Sequence, residues 1–183
     1  HVVTRRQRQM CIRDRLWLLE GHKVKGWTIE QEVYESITME GMNNKYLPDH
    51  SLEGLEATMH VEEALDGSEI IVLAVPSSVI LNVVEDIIPH LRPGHVLLDL
   101  AKGLAPGKRL ISEAIHQMLT DNEMHNPLAV LTGPTIAPEA AGGVMTTALV
   151  ASEDVSVAEN LASTLTTPTF ILHAASDLSL IHI

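Results

Sequence analysis

At 183 residues the chain has room for one domain with a sizeable core. Its 24 acidic residues against 12 basic ones leave a net charge of −12, which argues against nucleic-acid and anionic-membrane partners. No apolar run approaches the roughly 20 residues that cross a bilayer, and a single cysteine excludes a disulfide framework.

The chain opens on a segment that does not look native. Met10–Arg15 reads MCIRDR and Leu178–Ile183 reads LSLIHI. The codons ATG-TGT-ATA-AGA-GAC-AG encode the first, and their reverse complement, CTG-TCT-CTT-ATA-CAC-AT, encodes the second. One nucleotide sequence read on opposite strands at both ends resembles the transposon end used in sequencing libraries. His1–Arg15 and Leu178–Ile183 are therefore set aside, and the fold is read from 16–177. The basic cluster Arg5, Arg6, Arg8, Arg13 and Arg15 goes with the head, as does Cys11. What remains carries 7 basic and 23 acidic residues, a net −16, and no thiol nucleophile. That is compatible with a cytoplasmic origin.

Leu16–Glu20 reads as the last turns of an apolar helix, ended by Gly21. His22–Trp27 is a short strand. Thr28 is placed to cap a helix over Ile29–Glu40, closed by Gly41. Asn43–Leu55 is a loop, Ala57–Met59 a brief strand, Val61–Leu65 a short helix, and Asp66-Gly67 a turn.

The central stretch is Ile70–Ser77, IIVLAVPS. Without polar alternation it suits a strand buried on both faces, as in a parallel sheet covered by helices. Pro76 stops it, because proline cannot donate a ladder hydrogen bond. A helix over Ser78–Ile88 follows, capped by Ser77 or Ser78 and stopped by Pro89. His95–Leu100 is the next strand, Ala101–Leu104 (AKGL) a loop, and Lys108–Leu119 a helix. Pro127–Leu131 and Met145–Ala151 are strands, Val155–Leu165 a helix, and Phe170–His173 a last short strand. Strands alternating with helices imply βαβ units and a mostly parallel, doubly wound α/β sheet.

A dinucleotide-binding unit places a strand and a G-x-G-x-x-G turn before its first helix. Leu16–Glu20 would be the tail of that helix, and no G-x-G-x-x-G occurs in the sequence. The expectation is a Rossmann-type domain that lacks its first strand and glycine-rich turn because the fragment starts too late.

Ligands in open α/β sheets sit beyond the carboxyl ends of strands. Three clusters fall there: Val75-Pro76-Ser77, Ala101-Lys102-Gly103-Leu104, and Leu131–Glu139 (LTGPTIAPE). Lys102 offers a point charge suited to phosphate. Gly133-Pro134-Thr135 offers close backbone approach, a rigid turn and one hydroxyl. The ten histidines show no H-x-x-x-H pair, so no metal site is assigned.

In this order and at these intervals the clusters resemble the N-terminal part of NAD(P)-dependent glycerol-3-phosphate dehydrogenase. The likeness runs from about Leu16 to Asp177 and includes Gly21-His22, Tyr46-Leu47-Pro48, Ala57-Thr58, IIVLAVPS, AKGL, LTGPT and TPTF at Thr167–Phe170. It implies a Rossmann-type domain followed by a helical one, absent here. It also implies hydride transfer between sn-glycerol 3-phosphate and dihydroxyacetone phosphate, serving phospholipid synthesis in the cytoplasm. The implied partner is a small phosphorylated substrate, and the whole protein has room to be a homodimer. On the matching positions Lys102 would meet both cofactor and substrate, Gly133 and Thr135 would line the substrate, and Ala137 would meet the cofactor through its backbone. Val75 and Pro76 would border the cofactor.

Two departures stand out. Trp27-Thr28-Ile29-Glu30 lacks the Arg that pairs with a 2′-phosphate in the family; Glu30 or Glu32 would instead accept from a ribose 2′-hydroxyl, so the cofactor is NAD or NADP with NAD favoured. The family's Lys after its G-P-S-F-A pattern is Pro138 here, and its catalytic lysine would lie beyond Asp177. The alternatives are a related dehydrogenase acting on a hydroxy acid or sugar acid, and a nucleotide-binding module without catalysis.

Overall fold

The computed structural model describes residues 15–133 and 144–176. Residues 15–19 are helical, and Gly21 at φ +84° ends them. The amide of Gly21 donates to Leu18 and that of His22 to Trp17, closing the helix terminus on its own carbonyls. Trp17 is fully buried and its indole N–H donates to the Leu165 carbonyl at 3.1 Å, which pins this end of the chain to a helix 148 residues away.

The strands form three groups. β1 (Lys25–Trp27) pairs in parallel with β4 (Glu56–Thr58). β2 (Met42–Asn43) and β3 (Leu47–Ser51) make an antiparallel ribbon. The main sheet has the order β5 (Ile70–Leu73), β6 (Val96–Asp99), β7 (Leu128–Thr132), β8 (Thr146–Ser152), β9 (Phe170–Ala175). Its first three strands are parallel, β8 runs antiparallel to β7, and β9 is parallel to β8. The mostly parallel α/β reading therefore holds, with the β7–β8 pair as the one antiparallel pairing within the main sheet.

Helices α1 (Gln31–Glu40), α2 (Val61–Leu65), α3 (Ile80–Ile87), α4 (Ile111–Asp121) and α5 (Val155–Leu165) connect the strands. Alternate residues of the buried strands face opposite ways. Ile71, Leu73 and Leu97 pack with α2, α3 and α4 in one core, whereas Val72, Leu98 and Ala129 pack with α1, α5 and Trp17 in the other. A sheet covered on both faces is why IIVL carries no polar alternation.

Several boundaries differ from the sequence reading. β5 ends at Leu73, three residues before Pro76, because the chain already leaves the ladder at Ala74. α1 starts at Gln31 with Glu30 at its cap position; Thr28 Oγ1 instead accepts from the Glu30 amide, an ST-type turn before the helix, and Ile29 is exposed. α3 begins at Ile80 with no side-chain cap from Ser77 or Ser78, and Pro89 lies inside a 3₁₀ turn, Ile88–His90. α4 begins three residues later than expected, since Lys108 takes a positive φ of 60°. The loop expected over Asn43–Leu55 contains β3 and pairs back on β2.

Candidate functional site

β5, β6 and β7 are neighbouring parallel strands, so Val75-Pro76-Ser77, the AKG turn and Gly133 leave the sheet on one edge. Val75 is buried in the core, leaving only its backbone for a ligand, while Pro76 and Ser77 are half-buried. Lys102 is exposed at the turn after β6.

That turn is held from two sides. Asp99, the last residue of β6, is 1% exposed, and its Oδ1 accepts from the Ala101 amide at 2.8 Å. Burial pushes the Asp99 carboxyl up to about 7, with the Ala101 N–H pulling the other way. Gly103 has φ +117°, and a Cβ there would sit 3.3 Å from Ser77 Oγ. The AKG turn thus packs against the VPS turn so closely that a side chain would press on Ser77. Sequence reading passed over Asp99, although a carboxylate inside the apolar run HVLLDL was the visible signal.

Gly133 makes a close approach within the fold itself. At φ +151° its Cβ would meet Ala148 Cα at 3.1 Å and the Thr147 carbonyl at 3.2 Å. The close approach is to β8. Thr135, Ala137 and Pro138 lie outside the described residues.

A second cluster forms at the carboxyl end of β1. Glu30 Oε1 accepts from the Tyr46 hydroxyl at 2.9 Å, and Glu30 Oε2 from Lys45 Nζ at 2.7 Å. Lys45 also reaches Glu32 at 3.2 Å, and these two carboxylates raise its pKa above the usual lysine value. Glu30 is where the sequence put it, one turn past a parallel strand. Lys45 was missed because it arrives across a ribbon that read as loop.

Among the described residues no three His, Cys, Asp or Glu side chains gather to hold a metal, and no helix is long and apolar enough to cross a membrane.

Residues 15–158 match the family model described as NAD-dependent glycerol-3-phosphate dehydrogenase N-terminus. The chain belongs to this family. It is 34% identical over 163 residues to the glycerol-3-phosphate dehydrogenase [NAD(P)+] of Halothermothrix orenii, covering 88% of this chain and 47% of that protein. The enzyme of the same name from Clostridium acetobutylicum is 34% identical over 161 residues, with 87% and 47% covered. The chain spans about half the length of these curated relatives. The crystal structure of glycerol-3-phosphate dehydrogenase from Coxiella burnetii superposes with a TM-score of 0.86 at 26% identity, covering 97% of this chain and 55% of that one. The Saccharomyces cerevisiae enzyme gives 0.81 at 21% identity, covering 97% and 56%, a likeness of fold. The Rossmann-type architecture expected from sequence is thus the architecture of the family.

Proposed function

We propose that this chain is the dinucleotide-binding half of an NAD(P)-dependent oxidoreductase that interconverts sn-glycerol 3-phosphate and dihydroxyacetone phosphate. Family membership supports the class of reaction, and the held turn carrying exposed Lys102 is the observation on which the substrate assignment rests. The residues present suit a dinucleotide: a carboxylate and a cation stand at the end of β1, where a ribose 2′ substituent is read, and a glycine-tightened turn closes the edge of β5 and β6.

Within this reading the backbone of Val75 and Pro76 borders the cofactor, and Glu30 accepts from its ribose. Gly133 leaves the same edge, close against β8, and Thr135 would line the substrate and Ala137 meet the cofactor, as the family resemblance implies. The nicotinamide, when bound, supplies or accepts the hydride. Lys102 balances the charge of the substrate phosphate and holds the three-carbon chain in one orientation. Asp99 and the Gly103–Ser77 contact keep Lys102 where it stands. The general base comes from the part of the relatives that this chain does not span. The whole enzyme would work in the cytoplasm, supply glycerol 3-phosphate for phospholipids, and pair as a homodimer.

Replacing Lys102 by Ala in the full-length enzyme tests this. A charge-assisted contact to phosphate corresponds to roughly tenfold to hundredfold in affinity, so the KM for dihydroxyacetone phosphate should rise by that factor. The melting temperature should stay put, because Lys102 is exposed. An unchanged KM and turnover would remove Lys102 from the site and leave the substrate assignment without its main support.

A further inference from the structure

Resting on the dehydrogenase reading above, we propose that Lys45 is a specificity-determining residue for the cofactor ribose. Its ammonium pairs with the 2′-phosphate of NADP, while its neighbour Glu30 accepts from the 2′-hydroxyl of NAD. The assignment revises the sequence-level view that no cation serves this position.

Glu30 stands three residues after β1, at the strand end where a carboxylate or a cation meets the ribose. Its side chain is only 12% exposed and is fixed by the Tyr46 hydroxyl at 2.9 Å. Lys45 comes from the turn between β2 and β3. That turn is anchored beside it, since the Tyr46 amide donates to Asn43 Oδ1 at 3.1 Å and Asn43 is 1% exposed. The backbone of Lys45 is therefore placed, while its side chain, 38% exposed, reaches Glu30 at 2.7 Å and Glu32 at 3.2 Å.

Charge then decides the preference. Glu30, Glu32 and Lys45 sum to −1, which tolerates a neutral hydroxyl and opposes a phosphate dianion. NADP binding requires Lys45 to leave Glu30 for the 2′-phosphate, a contact that lysine makes as a point charge. Both carboxylates raise the lysine pKa, so the ammonium itself stays protonated through neutrality. The outcome is an enzyme that accepts both cofactors, with Glu30 setting the cost of the phosphorylated one.

The test uses full-length enzyme bearing Lys45→Ala, Lys45→Arg or Glu30→Gln. Calorimetric titration with 2′,5′-ADP and with 5′-ADP reads the ribose site without turnover, and kcat/KM for NADPH and NADH reads it in catalysis. Lys45→Ala should weaken 2′,5′-ADP and NADPH by about tenfold or more and leave 5′-ADP and NADH within about twofold. Lys45→Arg should restore the 2′-phosphate ligands, and Glu30→Gln should raise the NADPH-to-NADH ratio. Equal losses for both ligand pairs, or none for either, would overturn the assignment of Lys45. Should wild-type enzyme bind neither nucleotide and turn over neither cofactor, the dehydrogenase reading falls, and this inference with it. Binding without discrimination by Lys45→Ala overturns the inference alone.

Discussion

Asp99 is the residue where local chemistry and fold stability conflict. A carboxyl whose folded pKa lies near 7, against 3.8 for the ordinary group, is one that the fold prefers protonated. The sign follows from linkage. The folded state holds the proton more tightly than the unfolded chain, so the contribution of Asp99 is fully present below about pH 4 and is lost as pH rises through 7. At about 1.4 kcal/mol per pKa unit this loss is at most about 4 kcal/mol. Asn at this position keeps an oxygen to accept from the Ala101 amide and has no charge to bury. In full-length protein, Asp99→Asn should therefore be more stable than wild type above pH 7, with the advantage shrinking to near zero at pH 4. Urea unfolding across that range measures it, and a difference that does not change with pH would show that Asp99 does not titrate in this window. A buried acid retained at the foot of the Lys102 turn, at an energetic cost, is the kind of group that functional sites carry.

Val155–Leu165 occurs as read because Asp154 accepts from the Ser156 amide and fixes the cap. Val61–Leu65 also occurs as read, without a side-chain cap at His60. Gly41 at φ +63° ends α1 as its sequence position suggests. Elsewhere sequence reading overshot: the caps of α1, α3 and α4 are Glu30, Val79 and Leu110, none of which caps with its own side chain, and at α4 Glu113 Oε2 instead accepts from the Leu110 amide at 3.1 Å. The β2–β3 ribbon was missed since Pro48 and the burial pattern of Leu47–Ser51 lack strand alternation. That single omission concealed Lys45 and its pairing with Glu30. Gly133 has a neighbour, Ala148, that only the register of β7 on β8 reveals. Gly133→Ala forces a Cβ to 3.1 Å from Ala148 Cα at a φ that L-residues avoid, a strain on the order of 1–3 kcal/mol. A melting temperature lowered by several degrees in the full-length enzyme is expected. An unchanged melting temperature with weakened substrate binding would mean that the glycine serves the ligand instead of β8.

For the molecule as a whole, the decisive feature is how the β1–β4 pair joins the main sheet. Among the described residues β1 has β4 as its ladder partner and β5 has β6. The two sheets are held to each other by side chains, and between them lies a cavity of about 80 Å³ walled by Trp17, Val24, Ile70 and Val72 with polar groups at Lys23 and Glu69. In the 3-2-1-4-5-6 order of a Rossmann sheet, β4, β1 and β5 hold the places of strands 3, 2 and 4, so the place between β1 and β5 is that of strand 1. Among the described residues neither of these two edges has a ladder partner on its facing side, and the one charge on them, Lys25, turns its ammonium to the Glu63 and Asp66 carbonyls. Apolar packing from Trp17 and the two cores resists separation but does not satisfy the backbone groups. A polypeptide of residues 16–177 should therefore associate through these edges. Light scattering is expected to find aggregates at micromolar concentration, and calorimetry no sharp two-state transition. A monodisperse monomer with one cooperative melt would show that side-chain packing alone closes the gap between the sheets.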